Sequence, residues 1–273
     1  MSVDTAETTW KSDDRAGRAG LRNALPAEWT KFWTVRSTPW SLFALFLLTL
    51  GIGMLSTNAL VSRDSPPSES MRHILIGFNF GQFAVGVLGI MFLSAEFGTG
   101  LIRSTLAAMP RRSVVLIAKA IIIAVVTFVV GEFFAFSTFF VAQAMLSNGP
   151  HAVSLSQPGV MRVLIESGIY LTLMALIGLG LAAVMKNTAA SIAIFAGVVL
   201  IVAIIIGAMP TAIQNALTRF LPLTIGSTVF STVTPPRLNN IPTFSSSVGL
   251  VVLAVYAAVL MFFGWWLMER RDT

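Results

Sequence analysis

Few residues in this chain could make or break a covalent bond. Cysteine is absent, which excludes thiolate nucleophiles, thiol redox couples, disulfides and cysteine-held metals. The two histidines, His73 and His151, have no companions at metal-ligand spacing. Signatures such as His-Glu-x-x-His and Gly-x-Ser-x-Gly are missing, and so is the Gly-x-x-x-x-Gly-Lys-Ser/Thr loop that cradles nucleotide phosphates. A hydrolytic centre, a metal site and ATP hydrolysis by this chain itself are therefore not expected. What remains is charge set against an apolar background. There is one acid, Glu132, inside a long uncharged stretch, and one charged segment from Glu96 to Arg112.

Glu132 interrupts the run from Ala120 to Pro150 and lies about 27 Å past Val114 along a continuous helix. An ionised carboxylate is costly at such a depth in lipid, so the side chain should face the interior of a helix bundle or carry a proton. Three readings stay open: a contact to a cationic substrate, a proton relay, or a neutral carboxyl hydrogen-bonded to a neighbouring helix. Glu132→Gln should alter transport only for a cationic or proton-coupled substrate. Gln82 and Gln143 are weaker candidates, since a single amide in a span usually serves helix packing.

The second segment reads Glu96-Phe-Gly-Thr-Gly-Leu-Ile-Arg-Ser-Thr-Leu-Ala-Ala-Met-Pro-Arg-Arg. Gly98 and Gly100, on either side of Thr99, permit a sharp bend, Leu101 to Ala108 can form about two helical turns, and Pro110 drives Met109 out of helical geometry. The expected product is a short helix below the membrane, flanked by Glu96, Arg103, Arg111 and Arg112. It could pass force from a soluble partner into the spans it joins, or be a plain charged turn.

A third element precedes the first apolar run. Leu25, Trp29, Phe32 and Trp33 recur at helical spacing with Thr30, Lys31 and Thr34 opposite, which predicts an amphipathic helix lying on the membrane surface over 25–38. Pro26 suits its first position, Glu28 the positive end of its dipole, and Pro39 its end. Such a helix could anchor the amino terminus, offer a platform to a partner, or both. Residues 1–24 read as a disordered cytoplasmic tail.

The elements that position these groups follow from composition. Of 273 residues, 55% are hydrophobic and only 11% charged, against about 25% charged in an ordinary soluble domain. Uncharged stretches of roughly 20 residues or more are long enough to cross the hydrocarbon core as helices, the only form in which an isolated segment satisfies its backbone in lipid. Spans are predicted near 40–61, 74–95, 114–146, 162–185, 189–209 and 246–268, making 39–273 one six-helix all-α membrane domain. The segment 210–245, broken by Pro210, Pro222, Pro235, Pro236 and Pro242, should form short helices and loops at the outer face.

All but five of the 18 Lys and Arg residues fall on one side of this arrangement, the exceptions being Arg63, Arg72, Arg162, Arg219 and Arg237. By the positive-inside rule both termini and the Glu96–Arg112 segment are cytoplasmic. The net charge of +6 is then accounted for by cytoplasmic flanks, with no nucleic-acid partner.

The run Ala27-Glu-Trp-Thr-Lys-Phe-Trp-Thr-Val-Arg-Ser-Thr followed by Trp40 resembles the start of actinobacterial type-2 ABC exporter permeases. The Glu96–Arg112 segment with Lys119 downstream is similar to that family's segment after span two, and Leu221-Pro-Leu and the ending Gly264-Trp-Trp-Leu-Met-Glu-Arg-Arg-Asp echo it more loosely. The likeness covers about residue 25 to the end. It implies a six-span permease subunit of a bacterial cytoplasmic membrane, a second permease copy beside it, and separate ABC ATPase subunits that hold the ATP and magnesium. It also implies that the helix between spans two and three is the coupling element, with Glu96, Gly98, Thr99, Gly100, Arg103, Pro110, Arg111 and Arg112 around it. Glu28, Trp29, Lys31 and Trp33 belong to the surface helix. The rival readings are a membrane anchor or sensor without transport and a membrane-embedded enzyme.

Overall fold

The computed structural model describes residues 20–61, 70–108, 111–146, 152–232, 237–238 and 241–270. Most of the predicted tail, with Pro110, Met109, Arg63, His151, Pro235 and Pro236, lies outside them. A short helix α1 (Leu21–Thr34) leads into the first long helix, which runs as α2 (Ser37–Phe46), a π-helical turn (Leu47–Gly51) and α3 (Ile52–Val61). After α4 (Ser70–Ile74) come α5 (Phe78–Thr99), α6 (Leu101–Ala108), α7 (Arg112–Leu146) and α8 (Val160–Met185). The fifth long helix is again interrupted by a π turn, as α9 (Thr188–Ala196), Gly197–Ile201 and α10 (Val202–Gly207). Then follow α11 (Thr211–Leu217), a 3-10 turn (Thr218–Phe220), α12 (Pro222–Val229) and α13 (Ser246–Arg270), with a two-residue antiparallel pairing of Arg237–Leu238 and Ile241–Pro242 before α13.

Six of these helices are long and apolar enough to cross a membrane: Ser37–Ala59, Phe78–Thr99, Arg112–Leu146, Val160–Met185, Thr188–Gly207 and Ser246–Arg270. The chain is a multi-pass membrane protein built from helices. Their outward faces carry bare aliphatic and aromatic side chains, with Leu55 73% and Ile204 70% exposed, a surface that lipid solvates and water does not.

Helix α8 is the centre, packed by α5, α7 and α13. Small residues let the backbones meet there: a Cβ built on Gly89 would run into the carbonyl oxygen of Ala175, and one on Gly178 into that of Gly86. In the first span a side chain supports the helix where it departs from α geometry. Thr49, inside the first π turn, donates to the Leu45 carbonyl at 2.7 Å.

Three local expectations are corrected. Helix α1 starts at Leu21, after Gly20 in extended geometry, so Pro26 lies inside it and Glu28 lies beyond its first turn. The dipole role of Glu28 falls with that, because the effect fades within one turn. Pro39 does not end α1, which stops at an extended Val35, but sits in the first turn of α2, where its missing N–H costs nothing. The bend after the second span comes at Gly100 alone, with φ +73°, while Gly98 remains within α5.

Candidate functional site

Among the described residues, the buried charged side chains Glu28, Glu96 and Lys119 gather where α1, α5, α6 and α7 converge. Helix α1 turns Ala24, Glu28 and Phe32, spaced one helical turn apart, toward the bundle, and Phe32 stacks edge-on against Phe92 of α5 at 5.0 Å. That contact carries the Glu28 carboxylate into the interior. Helix α5 supplies Glu96 from its last turn, and α7 supplies Lys119 from its second turn.

The Lys119 ammonium is fully buried. It donates to Glu96 Oε1 at 2.8 Å and to the Phe92 carbonyl oxygen at 3.2 Å, lies 2.6 Å from Glu28 Oε2, and stands 4.2 Å above the Phe92 ring. On the other side of the carboxylates, Lys31 donates to Glu28 Oε1 at 2.7 Å, to Glu96 Oε1 at 3.1 Å and to Thr105 Oγ1 at 3.0 Å. Two cations and two anions thus form a neutral cluster in which Lys31 uses its three donors, while Lys119 donates two hydrogen bonds and meets Glu28 Oε2 as an ion pair. A buried charge persists only when it is paired in this way.

Burial works against the Lys31 ammonium, but hydrogen bonding and attraction from Glu28 and Glu96 outweigh it and hold its pKa above the ordinary lysine value. The cation is favoured by folding. Its contribution is therefore complete at neutral pH and is lost only as pH rises through that raised value.

The contact to Thr105 ties a further element to the cluster. Helix α6 is a two-turn helix hung between the ends of α5 and α7, and Thr105 is the residue through which Lys31 reaches it. Thr105 in turn donates to Leu101 O at 3.1 Å, which stiffens its rotamer. Lys31 thereby joins α6 to Glu28 on α1 and to Glu96 on α5.

Of the residues singled out in the sequence, Glu28, Lys31 and Glu96 are brought together here. Thr99 closes α5, its hydroxyl donating to Ala95 O at 2.8 Å, and Gly100 makes the turn into α6. Arg111 is exposed, and Arg112 donates to the Met268 carbonyl, tying α7 to the end of α13. The Arg103 side chain, like Pro110, lies outside the described residues. Trp29 and Trp33 stack at 5.8 Å and point outward beside the buried stripe, so the predicted apolar face is split between bundle and surroundings.

The sequence alone did not place Lys119 and Thr105 in this cluster. A usable signal was present, because Lys119 is a lone cation in an apolar run just as Glu132 is a lone acid.

Glu132 stands apart. Its Oε1 is buried with no hydrogen bond among the described residues, and it occupies the space beside Gly168 on α8. Of the three open readings, a hydrogen bond to a neighbouring helix finds no partner for this oxygen among the described residues. Glu132→Gln is accordingly expected to leave the thermal stability of the detergent-solubilised protein unchanged or raised, because no ion pair is broken; a clear loss would show that the carboxylate has a partner.

At the opposite end of the bundle Arg162 plays a latching part. It donates to the carbonyls of Ser231 and Thr232, each at 3.2 Å, and to the hydroxyl of Ser246, joining α8 to the end of α12 and the start of α13. Deeper in, the Tyr170 hydroxyl lies 2.7 Å from Gln82 Oε1 and 3.1 Å from the Pro222 carbonyl, which pins the returning helix α12 to the core. Among the described residues no group of three or more His, Asp or Glu side chains is arranged to hold a metal ion. No protein-family model matches the chain, and no curated protein matches it.

Proposed function

We propose that this chain is the permease subunit of an ATP-binding cassette exporter, providing the membrane pathway while separate ATPase subunits supply the energy. The observation that carries this reading is the Glu28–Lys31–Glu96–Lys119 cluster with its arm to Thr105. A helix of eight residues at the end of a hairpin would ordinarily be free to move by itself. Strapped through Lys31 to α1, α5 and α7, it becomes a lever whose displacement must be shared by two membrane spans and the amino-terminal helix. That is the property required of an element that receives motion from a soluble motor.

In this reading α6 and the outward side of α1, with Trp29 and Trp33, form the docking face. Arg103, Arg111 and Arg112 supply its positive charge, and a second permease copy completes the pathway. The protein works in the bacterial cytoplasmic membrane with both termini and α6 inside. ATP and magnesium belong to the partner.

Co-purification is the direct test. An ATPase encoded beside this protein should be retained by the intact chain, and Arg103→Glu should reduce that retention and the transport it drives by about tenfold, the effect of reversing one interfacial charge. Retention and transport equal to those of the native chain would remove α6 from the interface. A chain that resides in membranes and never recruits an ATPase would instead be an anchor or sensor.

A further inference from the structure

We infer that the groove between α8, the fifth span, α12 and α13 is a binding site for one anionic phospholipid, with an acyl chain in the groove and the phosphate on Arg219. The groove has a volume of about 770 Å³, in the range of small-molecule sites, and its lining is apolar apart from one hydroxyl. That hydroxyl, on Tyr256, already donates to the Phe220 carbonyl at 3.3 Å. Such a channel offers nothing to a polar molecule and a continuous surface to a hydrocarbon chain.

Its dimensions fit one leaflet. Along the fifth span its lining runs from Ile194 to Ile206, roughly 18 Å of helix. Half of a hydrocarbon core is about 15 Å. The second π turn lies on its wall, where Val198 and Val199 line it.

The headgroup preference comes from the rim. Arg219 sits on the 3-10 turn between Leu217 and Phe220, both of which line the groove. Its guanidinium is held 5.2 Å from the Phe220 ring and 5.3 Å from the Phe244 ring. Its Nε is buried and has no hydrogen-bond partner, and no carboxylate pairs with it among the described residues. A planar cation seated beside two touching rings, with no carboxylate pairing it among the described residues, at the edge of an apolar channel is suited to a phosphodiester whose tails enter that channel.

The site does not depend on the transport reading. The test uses the full chain in a mild detergent, titrated with dioleoyl phosphatidylglycerol or dioleoyl phosphatidylcholine, with bound lipid counted by native mass spectrometry. The anionic lipid should bind about fivefold more tightly, the effect of one cation on an anionic headgroup. Arg219→Gln should abolish that preference without altering helix content or elution volume. Val198→Trp, or the milder Val202→Phe, should reduce binding of both lipids by filling the groove. Equal affinity for the two lipids, a preference that survives Arg219→Gln, or binding indifferent to both groove substitutions would overturn the inference. So would a lipid-free dimer that Val198→Trp dissociates, which would make the groove the seat of a second copy. A thermal shift from inorganic phosphate equal to that from the lipid would reassign Arg219 to a free anion.

Discussion

Replacing Lys119 with methionine is expected to destabilise the protein by about 3–5 kcal/mol, the usual result of removing one partner from a buried ion pair. Methionine fills a similar volume, so the loss comes from charge. Glu28 Oε2 and Glu96 Oε1 lie 2.6 and 2.8 Å from the ammonium that would vanish, and Lys31 alone cannot neutralise both carboxylates. The partial remedy is equally specific. Adding Glu28→Gln to Lys119→Met leaves one cation facing one anion and should recover a large share of the loss, whereas Glu28→Gln alone should be destabilising. Unfolding in mixed micelles measures all three variants as a cycle, and coupling of 0.5–3 kcal/mol between the two sites is the expected signature of contact. A Lys119→Met protein as stable as the native chain would mean that the cluster is hydrated and mechanically slack. The lever assigned to α6 would then lose its support.

The long elements were legible because lipid imposes a simple rule on them. The uncharged stretches predicted six spans, and the helices found follow them closely, since twenty apolar residues in hydrocarbon have no alternative to a helix. Short elements were readable in existence but not in register. Leu101–Ala108 is the predicted two-turn helix, but α1 begins four residues before the predicted start at Leu25, because a pattern of Trp and Phe does not say which ring faces protein and which faces outward.

The site was half legible for the same reason. Glu28, Lys31 and Glu96 drew notice as charges beside spans, yet their meeting is a tertiary event that brings together residues far apart in the chain. Lys119 was passed over because a basic residue near the start of a span looks like an ordinary flank. Only the packing of α1 on α7 shows it to be sealed from solvent. The return of α12 into the bundle was not legible, since Gln82 and Pro222 were noted for packing and for breaking a helix and nothing linked them to Tyr170.

Substituting leucine for Gly178 is expected to abolish folded protein, and alanine there to cost about 1–3 kcal/mol, the range for overpacking a close contact. The argument rests on what a side chain would strike. At Gly178 the added Cβ meets the backbone carbonyl of Gly86, and the reciprocal position Gly89 meets the carbonyl of Ala175, so neither helix has a flexible side chain that could move aside. In lipid there is little hydrophobic drive between helices, and their association depends on backbone approach and dispersion contact over the shared face. Forcing α5 away from α8 loses that contact along the whole crossing and also shifts Glu96, at the end of α5, relative to Lys119. The control is Gly98→Ala. Gly98 lies in the partner helix α5 with nothing within 4 Å of a built Cβ, so alanine should be neutral or stabilising by up to about 1 kcal/mol through helix propensity. Equal responses at Gly178 and Gly98 in thermal unfolding would show that the two helices do not touch as described, because only one of the two glycines is at their interface.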